Sequence, residues 1–393
     1  MDRPVVAVVL AGGIGSRLYP ASRGHRPKQF RSLTGDGASL LTRTVERVAF
    51  ADATLVVTRP EFEDAARRHA RAAFGDCDGD GSTPDPGDAS RVEGVEGAEG
   101  AESVELLVEP AGRDTGPAVA YATHVAAERY GSGSSPRSPT DDADAAAGGD
   151  ADAAAGGDAD PVVLVCPSDH LVRGSFEPTA RRALRAAADT GSLVALGVEP
   201  TRPDTGYGYV EPGAPRGDHF RVAAFHEKPD AATAERYVAD GYLWNAGIFA
   251  WTPAAFREAA RGSPLDPLLD ALDAGDPAGG FATVDPVSVD YAVLERAADV
   301  AVVPVAFAWD DLGSWDALRR VLPDEGDNAV LGEALAIDAS GNVVAADEGT
   351  HVSVLGVEDL VVAAFDDRVL VVPVDEAQRV REVVDRLRDE ELF

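Results

Sequence analysis

The chain has 393 residues, 45% of them apolar, and a net charge of −33. That length and apolar share suit a large α/β domain with a smaller companion. So much negative charge argues against nucleic acid or an anionic membrane surface as a partner, since both would repel it.

The basic residues are unusual in kind. Of the 35, only Lys28 and Lys228 are lysine; the others are arginine. Surplus acid destabilises a compact state by self-repulsion unless salt screens it, and at molar salt the Debye length falls to about 3 Å. The pattern points to a cytoplasm of very high ionic strength, as in salt-loving microbes. Cys77 and Cys166 are the only cysteines, so no disulfide framework or zinc spacing exists. Asp2 and Arg3 precede a short apolar run that reads as a buried strand rather than a signal peptide. No apolar run reaches the roughly eighteen residues that span a membrane. A soluble, cytoplasmic protein is expected.

In chain order, "VVAVVLAGG" (5–13) predicts a buried, parallel-type strand ending in a tight loop. A helix is predicted over 39–51, a strand over 54–58 and a helix over 61–74. Strand and helix in alternation predict a doubly wound α/β sheet. Residues 76–103 and 131–160 break the pattern, the second carrying "DADAAAGG" twice in succession. Neither segment has enough apolar surface to offset chain entropy, so both are expected to be disordered acidic insertions. Order resumes with the buried strand "PVVLVCPSDH" (161–170), a helix from Phe176, and a strand over 192–198. Strand-like pieces ending in polar motifs follow at 221–229, 241–251 and 300–315. From about Asn328 short strands alternate with Gly/Asp turns, closed by an amphipathic helix over 375–391 whose face carries Val380, Val383, Val384 and Leu387. A boundary is expected near 323, giving domains of 1–322 and 323–393.

Five motifs carry chemistry. "LAGGIGSRLYP" (10–20) is a glycine-rich turn after a first strand, able to bring backbone N–H groups near phosphates. It is not the dinucleotide fingerprint, because Leu18 stands where a third glycine would be. Its Arg17 is a planar fork suited to phosphate. "RPKQF" (26–30) and "HEKP" (226–229) place the two lysines beside prolines. Two such compact point charges, retained in an arginine-rich chain, suggest two separate phosphate contacts. "CPSDH" places Asp169 at a strand's C-terminal end, where open α/β sheets bind ligands, and "WDDLGSW" offers Asp310 and Asp311. One carboxylate from each suits a Mg²⁺ that keeps waters and bridges phosphates. His170 reads as a local hydrogen-bond partner.

With "EPAGRDTGPAVA" (109–120), "DTGYGYVEP" (204–212), "WNAGIF" (244–249) and "VDYAVLE" (289–295), these motifs resemble the sugar-1-phosphate nucleotidyltransferases, and among them the mannose-1-phosphate guanylyltransferases, in the family's own order. The resemblance spans residues 5 to about 316. It implies a Rossmann-like doubly wound mixed sheet, the nucleotide-diphospho-sugar transferase fold, with a small β-helix-like C-terminal domain. It implies transfer of GMP from GTP to α-D-mannose 1-phosphate, giving GDP-mannose and pyrophosphate, with Mg²⁺. Leu10, Gly12, Gly13, Arg17 and Arg113 would then hold the nucleotide, and Lys28 would contact phosphates at the reacting centre. Asp169 and Asp311 would hold the metal, with Asp310 as the fallback. Glu227 and Asn245 would bind sugar hydroxyls beside Gly208, and Lys228 would grip the sugar phosphate.

Glu109 occupies the position that reads the base in related enzymes. Guanine offers two donors on one edge, which a carboxylate accepts in a bidentate way; uracil or thymine would suit glutamine better. Two departures stand out: Asp114 and Gly116 replace the family's usual Asn and Ala, and Ser168 and Ala246 replace Ala and Ser. An acidic Asp114 beside phosphates is unfavourable on charge. Two other readings stay open: the same chemistry with glucose 1-phosphate and UTP or dTTP, and a non-catalytic nucleotide-sugar sensor. The apolar pattern of the β-rich tail suggests a homo-oligomer through that domain.

Overall fold

The structure, a computed structural model, describes residues 3–35, 37–74, 94–95, 103–131, 160–390 and 392–393. The disorder expected of the two acidic insertions falls almost wholly outside the described residues. Packing divides the chain into two compact units. The first comprises residues 1–11, 45–167 and 173–307, and the second 12–44, 168–172 and 308–393. The second unit therefore gathers two loops of the N-terminal part together with the C-terminal segment.

The strands of the first part of the chain are β1 (Val5–Leu10), β2 (Ala53–Thr58), β3 (Gly94–Val95), β4 (Ser103–Val108), β5 (Val162–Pro167), β6 (Leu171–Arg173), β7 (Leu193–Val198), β8 (Tyr209–Arg216), β9 (His219–His226), β10 (Leu243–Trp251) and β11 (Val300–Pro304). All but β6 form one sheet in the order β3-β4-β2-β1-β5-β10-β7-β11-β9-β8. β4, β2, β1 and β5 are parallel, β10 enters antiparallel beside β5, and β11 returns parallel to β7. The sheet is therefore mixed. The sequence explains β1: Val5 to Val9 are all buried, as an inner strand covered on both faces requires. A helix spans Thr115–Tyr130, where no helix is predicted above. It is alanine-rich and buried on nearly every side, so it carries no apolar stripe to read.

In the second unit, β12 (Ala308–Asp310) precedes a run of β13 (Asp324–Glu325), β14 (Asn328–Leu331), β15 (Glu333–Ile337), β16 (Val343–Ala346), β17 (His351–Leu355), β18 (Leu360–Phe365) and β19 (Arg368–Pro373). β14, β16 and β18 stack in parallel, as do β15 and β17, and β19 turns back antiparallel on β18. This is a short β-helix-like coil. Asn328 and Asn342, both buried, stack one coil on the next: Asn342 Nδ2 donates to Asn328 Oδ1 at 2.8 Å and to the Val357 carbonyl at 3.0 Å. Inward side chains such as Val343, Ala345, Val361 and Ala363 share one core with Leu18, Leu33, Leu40, Trp315 and Leu318. The closing helix is shorter than expected. A 3-10 segment, Val374–Arg379, precedes the α-helix Val380–Asp389. Val380 and Val384 are buried, but Val383 is 41% exposed and lies off the packed face.

Candidate active site

In the second unit, the loop after β1 folds back on itself. Gly15 has φ +69°, and a Cβ there would lie 2.8 Å from Lys28 Cγ, so glycine both makes the turn and admits the lysine stem. Gln29 Nε2 donates to the Gly13 carbonyl at 2.7 Å, and Ser22 Oγ, which donates to the Ile14 carbonyl, accepts the Lys28 N–H at 2.9 Å. Trp315 Nε1 anchors the Tyr19 carbonyl at 2.9 Å. Gly12 and Gly13 are thus held in a fixed loop. Arg17, on the one-turn helix Ser16–Leu18, is partly buried and makes no ion pair or hydrogen bond among the described residues.

Lys28 is buried, and its ammonium has three acceptors. Asp169 Oδ2 lies at 3.0 Å, the Asp311 carbonyl at 2.9 Å and the Leu312 carbonyl at 3.2 Å. Sequence reasoning expected phosphates around this group; the protein alone gives it one carboxylate and two backbone carbonyls. Burial pushes the Asp169 carboxyl up, but Lys28 and His170 outweigh it and hold it below the ordinary carboxylate range. Trp309 Nε1 donates to His170 Nδ1 at 3.2 Å, with His170 Nε2 3.7 Å from Asp169 Oδ1. His170 is the local partner the sequence suggested.

The two candidate carboxylates of "WDDLGSW" differ. Asp310 is buried and held by Arg320, whose Nη2 lies 2.9 Å from Oδ2, while its Oδ1 accepts the Leu312 N–H at 3.0 Å. Asp311 is only partly buried, and its Oδ1 accepts the Gly313 N–H at 2.9 Å. No group of three or more His, Cys, Asp or Glu side chains set to bind a metal exists among the described residues. Two carboxylates, one held ionised, still fit a hard cation that takes its remaining oxygens from water and phosphate.

In the first unit, Leu10 ends β1, opposite Val57 and Pro167. Glu109 follows β4 and is buried, with its N–H on the Thr58 carbonyl at 2.8 Å. Its Oε1 lies 3.8 Å from Arg59 Nε, and its buried Oε2 has no hydrogen-bond partner. Burial pushes this carboxyl up to about 7, with Arg59 pulling the other way. Arg113 Nε donates to the Phe281 carbonyl at 3.1 Å. Asp114, at φ +69°, caps the helix Thr115–Tyr130 by accepting the Thr115 N–H at 2.7 Å. Asn and Asp both cap helices, which accounts for the acidic residue at this place.

The residues expected to face the sugar fall together in the first unit. Gly208 O accepts the Asn245 N–H at 2.9 Å, and a Cβ on Gly208 would lie 3.1 Å from Glu227 Oε2. Glu227 and Lys228, both more than half exposed, pair with each other. Lys228 has φ +32°. Sequence reasoning missed Asp290, although it quoted "VDYAVLE". Asn245 Nδ2 donates to Asp290 Oδ1 at 2.7 Å, and Asn245 Oδ1 accepts the Gly247 N–H at 3.0 Å. Burial pushes the Asp290 carboxyl up, against the pull of Asn245. Asp290 begins a π-helical turn, Asp290–Leu294, a geometry frequent at functional sites.

The mixed α/β sheet, the glycine-turn loop and the β-helix-like coil define a protein of the nucleotide-diphospho-sugar transferase fold. The chain belongs to the nucleotidyl transferase family, whose profile matches residues 6–328. A second profile, for the mannose-phosphate isomerase/GMP-like β-helix domain, matches residues 332–387. The chain is 33% identical over 404 residues to the mannose-1-phosphate guanylyltransferase of Escherichia coli K12, covering 97% of this chain and 73% of that one. It is 33% identical over 401 residues to the xanthan biosynthesis protein XanB of Xanthomonas campestris, covering 98% and 73%. A solved structure from Thermus thermophilus, described as a mannose-1-phosphate geranyltransferase, superimposes with a TM-score of 0.77 at 36% identity, over 98% of this chain and 99% of that one.

Proposed function

We propose that this protein transfers GMP from GTP to α-D-mannose 1-phosphate, giving GDP-mannose and pyrophosphate. The observation that carries the reading is the cluster of Lys28, Asp169 and the Asp311 turn. It sets a buried cation against the Asp169 carboxylate and the Asp311 backbone carbonyl beside a glycine turn, in a chain alike over nearly its whole length to relatives named for this activity.

A sugar-phosphate oxygen attacks the α-phosphorus in line as the bond to the β-phosphate oxygen breaks, and the electron pair leaves with pyrophosphate. The nucleophile is already an anion, so no general base is needed. Catalysis is then positioning and charge neutralisation. Gly12, Gly13, Arg17 and Arg113 receive the triphosphate, and Lys28 stands at the reacting phosphates, freed from Asp169 to the extent that another cation replaces it there. Asp169 and Asp311 would hold Mg²⁺, which supplies charge neutralisation at the phosphate oxygens. Asp310, already held by Arg320, is the poorer ligand.

Glu109 reads guanine: its buried Oε2 needs a donor, and the guanine edge offers two. Asn245, held by Asp290, and Glu227 face the sugar hydroxyls, and Lys228 takes the sugar phosphate. We also place the reaction in a cytoplasm of high ionic strength, on the charge of −33 and the scarcity of lysine.

The test is pyrophosphate release in about 2–3 M KCl, chosen to screen the charge, with Mg²⁺, each common NTP in turn, and mannose 1-phosphate or glucose 1-phosphate. Release with GTP and mannose 1-phosphate supports the reading. Release only with UTP or dTTP and glucose 1-phosphate overturns the substrate assignment. No release from folded protein leaves a nucleotide-sugar sensor as the better account.

A further inference from the structure

The turn that carries Lys28 is pinned from both sides to the β-rich coil. Lys28 opens the one-turn helix Lys28–Phe30, with Arg26 and Arg31 flanking it and Arg23 just before. Arg31 Nη1 lies 3.1 Å from Asp347 Oδ2, and its Nη2 3.1 Å from Asp366 Oδ2. Arg26 Nη1 reaches the same two aspartates, at 3.2 and 3.0 Å. Arg23 binds Asp366 at 2.6 Å and Asp367 at 2.7 Å. The carboxylates sit on successive corners of the coil: Asp347 follows β16, and Asp366–Asp367 joins β18 to β19. Asp347 N–H donates to the Ala364 carbonyl at 2.9 Å, tying the corners together. The Arg31 and Arg23 side chains are only 3% and 7% exposed, and Arg31 lies over the Phe365 ring at 5.0 Å.

A buried ion pair stabilises little more than well-packed apolar side chains of the same size would, whereas removing one partner strands a charge. What such a network supplies is direction. Here it fixes the backbone on both sides of Lys28: Arg31 N–H bonds the Lys28 carbonyl at 3.0 Å, and Arg23 and Arg26 exchange backbone hydrogen bonds. We propose that Asp347 and Asp366 of the β-rich coil are positioning residues for Lys28, acting through Arg31, Arg26 and Arg23. The coil is then part of the catalytic apparatus of the turn rather than an appendage. This rests on the role given to Lys28 under the proposed function.

The chain's two lysines make the test direct. An amine-acetylating reagent is applied in high KCl, and labelling of Lys28 and Lys228 is followed by peptide mass spectrometry. Lys228, 56% exposed, is the internal reference for Lys28, 6% exposed. Asp366 has φ +50°, which asparagine tolerates, so Asp366→Asn removes the charge while keeping the turn. The Lys28-to-Lys228 labelling ratio should rise at least about tenfold in Asp366→Asn, because the three arginines lose the negative charge they share. The kcat for pyrophosphate release should fall in step, with KM for the sugar phosphate held. Asp347→Asn, whose carboxylate pairs with Arg26 and Arg31 but not Arg23 among the described residues, is the second variant if the first fails to fold. An unchanged labelling ratio in a folded variant overturns the proposal. A wild-type protein that releases no pyrophosphate would defeat the functional reading alone, since the labelling ratio still decides the positioning.

Discussion

The ammonium of Lys28 lies 3.0 Å from Oδ2 of Asp169 and 2.9 Å from the carbonyl of Asp311. The cation expected at the phosphates and one of the carboxylates expected at the metal, that of Asp169, therefore form an ion pair in the protein alone, with Asp311 joined to it through its backbone carbonyl. Asp169 would serve the metal, and Lys28 would then have its charge available for the nucleotide phosphates. Lys28→Ala should then lower kcat about a hundredfold or more, the scale of losing one charge-stabilising donor, with KM for mannose 1-phosphate little changed. Initial-rate kinetics with both substrates varied will check this. A loss confined to KM would assign Lys28 to ground-state binding.

The adjacent aspartates should separate by phenotype. Asp311→Asn should raise the Mg²⁺ concentration needed for half-maximal rate at least about tenfold while leaving Tm in place. Asp310→Asn removes the buried carboxylate that Arg320 pairs with, leaving Arg320 its contacts to Asp316, and should cost about 1–3 kcal/mol of stability, with the metal requirement of the surviving protein unchanged. Metal titrations and thermal melts of both variants test the assignment; the reverse pattern would exchange their roles.

Glu109 gives the pH dependence. Its carboxyl is pushed up to about 7, so below that pH the protein holds it neutral and above it ionised. Only the ionised form accepts both guanine donors. KM for GTP should therefore fall as pH rises toward and through about 7, then level off, and Glu109→Gln should remove that dependence. A GTP KM that is flat from pH 6 to 8.5 (a range of about one to two units around that value) in the native protein would argue against Glu109 as the base reader.

Asp290 holds the amide of Asn245, so its removal should appear on the sugar side. Asp290→Ala should raise KM for mannose 1-phosphate about tenfold, the value of a hydrogen bond to a charged group, and leave KM for GTP nearly unchanged. Equal changes in both constants would make Asp290 a general packing residue.

Asp114 is the gentlest test of the local structure. It caps a helix at positive φ, a place that asparagine also fills. Asp114→Asn should stay within about 0.5 kcal/mol of the native protein, and Asp114→Ala should lose about 1 kcal/mol. Denaturant melts in high salt will separate the two.

The parts legible in the sequence share a cause. β1 and β5 are valine-rich apolar runs, and each hands on to a polar motif within a few residues, so strand and candidate site were read together. The helix Thr115–Tyr130 was missed because its alanines are buried on all sides and leave no period. The terminal helix was read too long, because Val383 continues an apolar spacing that the packing does not use. Asp290 and the arginine network were invisible for another reason. Asp366 reaches Arg31 across 335 residues, and no local pattern encodes such a pairing. The two surviving lysines were the best clue, and the structure gives them unlike settings: Lys28 is buried among acceptors, and Lys228 stands exposed beside Glu227.

The central claim is nucleotidyl transfer at the Lys28–Asp169 group, and ³¹P NMR of one reaction tests it most directly. Purified protein in about 2–3 M KCl is given Mg²⁺, GTP and mannose 1-phosphate, with Lys28→Ala run alongside. The account predicts equal growth of a sugar-nucleotide diphosphate and free pyrophosphate in the native protein, slowed about a hundredfold or more by the substitution. GTP decaying to GDP and phosphate, or remaining intact with folded protein, would contradict it.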